Sequence, residues 1–278
     1  FKVRLPLDIQ FLFTANPEDY TNRGSIVTPL KDRIGSQILT HYPVDIETAR
    51  LITEQEAKLV ESQKEMVVVP DLARDLLEQI VFEARESDFI DAKSGVSARL
   101  SITALENLLS TAERRALKAG DNKTMVRLSD FVGIIPSITG KVELVYEGEQ
   151  EGAAVVAYNL IGEAVKSLFE EFFPKIEKLK TQDEESPYDD IVSWFFNQKE
   201  GFELLDDARE KAYKNLLDAI SPLDDLLGKH QPNLAKEDSY FVKEFVLWAL
   251  VEFKQLSKYR FTEGTQFKDP YGSFISGI

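Results

Sequence analysis

The chain has 278 residues, 43% of them apolar, no cysteine, and a formal net charge of −15. That length suits one large domain or two ordinary ones with a real core, and the missing cysteines exclude disulfides and cysteine-built metal sites. The charge argues against a nucleic-acid partner, because phosphate binding needs a basic surface to displace counterions.

Residues 1–45 are expected to hold the edge of an α/β layer. Val3 to Leu7 resembles the end of a hairpin, and Ile9 to Phe13 is a nearly continuous apolar run. Such a run predicts a strand buried on both faces of a parallel sheet. A lone buried strand is unstable, so its neighbours are expected from sequence outside these residues, and the chain is read as a C-terminal piece. Thr14-Ala15-Asn16-Pro17 ends the strand, and Leu30-Lys31-Asp32-Arg33-Ile34-Gly35 follows.

Residues 46–135 read as helices. Leu72, Leu76, Leu77, Ile80, Val81 and Ala84 form one apolar stripe after Pro70. Ile102, Leu105, Leu108, Leu109, Ala112, Ala116 and Leu117 form another, stopped by Gly120 and Asp121-Asn122. Thr103 and Glu106 have capping-box spacing, although Ser97 or Ser101 also suits the start of that helix. A compact helical lid is the inference.

Residues 136–278 begin with an extended segment, Val142 to Tyr146, and an acidic turn, EGEQEG. A long helix then runs from about Ala153 to Phe173, ended by Pro174. Thr181 to Pro187 is the best linker candidate. Helices are expected over Tyr188–Lys199 and Phe202–Ile220, then a short one restarting at Ser221-Pro222 and closing at Gly228. Val242, Phe245, Val246, Ala249, Leu250, Phe253 and Leu256 mark a last helix. Leu247, Trp248 and Val251 widen its apolar arc, so it must bury more than one side. This region is acidic: residues 141–278 carry 16 basic and 27 acidic side chains, against 17 and 21 in residues 1–140. A solvated face explains that; recruitment of a basic partner is the alternative. The longest apolar stretch, Tyr240 to Phe253, is too short for a span and contains Lys243 and Glu244. No membrane contact and a cytoplasmic location are expected.

Three side chains could carry phosphoryl chemistry. Asn16 sits at a strand tip, where a polar group can position an attacking water, although Asn-Pro also simply starts a turn. Arg33 offers a planar, permanent charge that stabilises a transferring phosphoryl group; a surface pair with Asp32 is the bland alternative. Arg99, at the entrance to the second lid helix, opposes the helix dipole, so it reads either as a nucleotide sensor or as an exposed helix-start arginine. Arg23 is a weaker intersubunit candidate. His41 is read as orienting the chain after Arg33, and with His230 it is too isolated for zinc or nucleophilic chemistry.

The segment TANPEDYTNRGSIVTPLKDRIGSQI, with the later SGVSARLSI, resembles the magnesium-chelatase ATPase-subunit and MoxR-like branch of AAA+ proteins. The resemblance covers roughly residues 1–135. It implies a sensor-1 role for Asn16, an arginine-finger role for Arg33 and a sensor-2 role for Arg99. It also implies a ring of identical subunits, hexameric in this branch, using ATP and magnesium to remodel or load metal into a partner protein. The finger motif departs from the family at Lys31 and Ile34. No GxxxxGK[ST] loop occurs, so no phosphate cradle or magnesium ligand can be assigned, and the piece by itself is expected to be inactive. Asp91-Ala-Lys-Ser94 has the wrong spacing for an integrin-like metal site. The expected fold is thus mainly α: an AAA+ α/β remnant (1–45), a helical lid (46–135) and an acidic helical region (136–278). A helical protein-interaction module without catalysis is the alternative function; a DNA-remodelling ring is disfavoured by the charge.

Overall fold

The computed structural model describes residues 8–14, 29, 32–176, 186–198, 201–261 and 263–269. It divides into two compact units, Phe1–Tyr42 and Pro43–Ile278. In the first, Asp8–Thr14 is irregular. The expected strand over Ile9–Phe13 is not formed; these side chains are exposed and the Phe11 and Phe13 rings stack at 6.1 Å. A strand is held by ladder hydrogen bonds from a neighbour, and none of the described residues supplies them.

The second unit is mainly helical with two small sheets. It opens with α1 (Ile46–Glu56), whose N-cap Asp45 accepts from the Thr48 amide at 2.7 Å. After α2 (Glu61–Met66), the short β1 (Val67–Val68) leads through Pro70 into α3 (Asp71–Glu86). The apolar stripe of α3 is buried as its spacing dictates. The next helix, α4 (Arg99–Ala119), ends at Gly120, whose φ of 75° is a left-handed stop that glycine adopts without strain. It starts earlier than its apolar stripe suggested. Thr103 is therefore interior, its hydroxyl donating to the Arg99 carbonyl at 2.9 Å, so Thr103 and Glu106 form no capping box. Glu106 instead accepts from the Lys58 amide at 2.9 Å, fastening the α1–α2 turn. β2 (Thr124–Met125) pairs parallel with β1 and brings the two ends of this stretch together.

A 3-10 turn (Leu128–Ile134) and α5 (Ile135–Thr139) precede an isolated bridge between Ile90 and Leu144. The EGEQEG stretch is helical rather than a turn, forming α6 (Tyr146–Glu151). Its early glutamates suit a helix N-terminus. Gly148 lets the backbone close on Phe89, since a Cβ there would lie 2.5 Å from the Phe89 carbonyl oxygen. The long α7 (Ala153–Phe172) packs against α3 on one side and α11 (Ser239–Glu252) on another.

Residues 177–185, most of the expected linker, lie outside the described residues. After α8 (Asp189–Phe196), the segment expected as one helix over Phe202–Ile220 splits. Phe202–Leu205 is a strand, β3, and only α9 (Glu210–Asp218) is helical. The cause is non-local: Phe202 and Leu204 point inward from a ladder completed by β5 (Gly264–Lys268), itself paired with β4 (Ser257–Phe261). α10 (Ser221–His230) runs through Gly228 rather than closing there. α11 is buried all round: every residue from Tyr240 to Leu250 is buried, including Lys243 and Glu244. Among the described residues no helix is long and apolar enough to cross a membrane.

One core therefore runs from α3 and α4 through α7 to α11. Phe245 is fully buried near Phe169, their rings 6.2 Å apart. Phe245→Ala is expected to cost about 3–5 kcal/mol in urea unfolding. A loss below about 1 kcal/mol would show that α11 is not central to this core.

Candidate functional site

Arg99 is the first residue of α4 and is exposed. No acidic side chain occupies the first turn of that helix, and among the described residues the guanidinium has no ion pair. An anion is the complement of such a place. The approach is built tightly. Gly95 takes φ 67° and its amide reaches the Asp91 carbonyl at 3.3 Å. Arg85 Nε donates to the Val96 carbonyl at 3.3 Å, and Val96 and Leu100 are buried. Ser97 Oγ accepts from the Arg99 amide at 3.2 Å.

Beneath this entrance lies a buried polar link among three helices. Thr53 of α1 donates to Glu78 Oε1 of α3 at 2.6 Å, and its Oγ1 lies 3.0 Å from Ser101 Oγ of α4. Ser101 Oγ lies 3.1 Å from the Ala98 carbonyl oxygen, just before Arg99. Glu78 is only 2% exposed. Burial pushes its carboxyl above the usual range, while the Thr53 and Ser101 hydroxyls and the charges of Arg85 and Arg50 hold it down.

Beside this link, α1, α3 and α7 enclose an open groove of about 500 Å³. Arg50 crosses its wall, donating to Asp71 Oδ1 and Asp75 Oδ1, each at 2.8 Å. Desolvation pulls its pKa down, but these two carboxylates outweigh it and hold the guanidinium above its ordinary value. Arg74 pairs with Glu54 at 2.9 Å.

Asn16 and Arg23 lie outside the described residues. Arg33 belongs to the first unit; it is exposed and donates from Nη1 to the Pro29 carbonyl at 2.6 Å. His41 Nδ1 lies 2.8 Å from the carbonyl oxygen of its neighbour Tyr42. Asp91 and Ser94 close a local turn: Asp91 Oδ1 accepts from the Lys93 amide, and Ser94 Oγ lies within hydrogen-bond distance of Asp91 Oδ2 and Glu143 Oε2. Among the described residues no group of three or more His, Asp or Glu side chains is placed to hold a metal.

Sequence spacing did not expose the buried ion cluster below α4. Arg115 grips Asp130 with two hydrogen bonds of 2.9 and 2.8 Å and reaches Thr124 Oγ1 and the Met125 carbonyl. The signal was present, since Arg115 falls on the buried face beside Ala112 and Ala116. Comparison with family models, with curated proteins and with solved structures finds no match for this chain.

Glu78 gives a pH signature. A carboxyl whose folded pKa is raised favours folding most below its unfolded pKa, and that contribution is lost as pH rises through the folded value. Glu78→Gln removes the titration. The stability of the native protein relative to Glu78→Gln is therefore expected to fall as pH rises above the ordinary glutamate value of 4.5, read from urea midpoints at matched salt. A flat difference would mean that Glu78 titrates as an ordinary exposed glutamate.

Proposed function

We propose that the chain is the C-terminal part of a MoxR/magnesium-chelatase-like AAA+ ATPase. In a cytoplasmic ring of identical subunits it couples ATP hydrolysis to remodelling, or metal loading, of a partner protein. Residues 1–45 are the edge of the α/β core and residues 46–135 its lid. The observation that carries this reading is Arg99, exposed and, among the described residues, without an ion pair at the head of a 21-residue helix, downstream of Asn16 and Arg33 in the family's order. Its permanent charge and position fit a γ-phosphate contact. The sequence contains no GxxxxGK[ST] loop, so no phosphate cradle or magnesium ligand is assigned within it, and this piece alone is not expected to hydrolyse ATP. ATP bound in the whole protein supplies the phosphoryl group, and each named residue has one task. Asn16 orients the attacking water, Arg33 reaches a neighbouring subunit's nucleotide, and Arg99 registers the γ-phosphate. Through Thr53, Glu78 and Ser101 a pull on Arg99 passes to α1 and α3, so the lid moves as one body.

A protein-interaction role without catalysis is the second reading. What favours it is that the acidic region is built onto α3 and α4 through a shared core, which gives a broad rigid surface.

The two separate in the complete reading frame. Arg33→Ala is expected to lower ATP turnover by about 10³-fold or more with nucleotide binding retained, and Arg99→Ala by about tenfold or more. Undiminished turnover in Arg33→Ala would remove the finger, and absence of any ATPase in the complete protein would leave the interaction role.

A further inference from the structure

We infer that the groove between α1, α3 and α7 is a docking surface for a basic amphipathic helix of a partner protein. Its floor is apolar, made by Ile46, Leu51, Leu168 and Phe172, and Leu51 is 63% exposed although it lies on a helix that packs on two others. An apolar side chain turned to solvent inside a concavity gains by being covered. The charges around the floor decide by what. Arg50 is the one cation lining it among the described residues, and Asp71 and Asp75 occupy both ends of its guanidinium. Glu54 is taken by Arg74. Glu47 on α1 and Glu171 on α7 are exposed, and among the described residues neither has an ion pair.

The result is an apolar trough with an uncompensated carboxylate on each bank. A helix laid along it would set apolar residues at helical spacing into the floor and offer lysine or arginine to both sides. The net charge of −15 steers the same partner toward the protein and repels an acidic one. The trough lies wholly within residues 46–172, so the inference stands whether or not the ATPase reading does.

The probe is a fluorescein-labelled leucine–lysine peptide of about 14 residues, four helical turns, with its leucines on one face. Its controls are a leucine–glutamate peptide of the same pattern and a leucine–lysine peptide of scrambled order. Anisotropy titration of the chain near physiological salt is expected to give saturable one-to-one binding in the micromolar range for the patterned basic peptide. The controls should bind at least about tenfold more weakly. Leu51→Lys, and separately Glu47→Lys with Glu171→Lys, are each expected to weaken binding by about tenfold or more. All three positions are exposed, and unchanged melting curves would show that the fold is intact. Backbone amide exchange should be slowed by the peptide over residues 46–54 and 168–172.

Equal affinity of native and altered grooves, or protection elsewhere, would overturn the proposal in favour of diffuse attraction to the acidic surface. No saturable binding up to about 1 mM would overturn it as well. A second copy as occupant would appear in sedimentation as dimerisation abolished by Leu51→Lys, and would equally refute a basic partner.

Discussion

The joint between α11, α9 and the 3-10 turn is set by a carboxylate almost wholly cut off from water. Glu244 of α11 is 1% exposed. It accepts from the backbone amides of Leu128 and Ser129 at 2.9 and 3.1 Å, and from the Tyr213 hydroxyl at 2.7 Å. Burial pushes its carboxyl upward, opposed by these donors and by Arg127. A buried charge is tolerated only when its partners are fixed, so Glu244 dictates where the 3-10 turn and α9 must sit relative to α11. Burial raises the Tyr213 hydroxyl well above its usual value and the charge of Glu244 adds to this, which keeps Tyr213 protonated as the donor.

The same joint draws in cations. Arg127 lies over the Tyr213 ring at 4.1 Å and donates to the Ala208 carbonyl at 2.8 Å. Its Nη2 is 3.3 Å from Glu210, which also lies 4.0 Å from Arg115. Asp130 accepts from the Arg127 amide and from Arg115. A chain of alternating charge thus runs from α4 to α9. Farther along, Lys258 on β4 rests 3.5 Å over the Trp248 ring and 3.6 Å from Glu252. Burial draws its amine down to about 8, only partly restrained by Glu252. Gly162 makes room for that carboxylate: a Cβ there would lie 2.8 Å from Glu252 Oε2. β4, α11 and α7 meet at the Lys258 amine, which also lies 5.1 Å from the Tyr158 ring of α7.

What the sequence disclosed was local. The α3 stripe, the α4 stripe apart from Leu117, which is 64% exposed, the Gly120 stop, the length of α7 and the burial of α11 on more than one side follow from spacing within a few turns. The β3 strand did not, because Phe202 and Leu204 find their ladder partners more than fifty residues later. α6 was hidden because its glycine, an apparent turn signal, serves close packing against Phe89. For the site, Arg99 was legible as a charge set against a helix dipole. The Thr53–Glu78–Ser101 link was not, since each residue alone looks like an unremarkable surface position on its helix. Nor could spacing foretell that Arg50 would pair with Asp71 and Asp75, leaving Glu47 and Glu171 without an ion pair among the described residues.

The common core has a bearing on ancestry. α3 faces α7 directly, and the turn at Leu128 is held from α11. A recombination event between residues 135 and 136 would leave each product with a greasy open wall. Severed there, neither half could bury its own apolar face, so a heritable unit of this fold has to contain both.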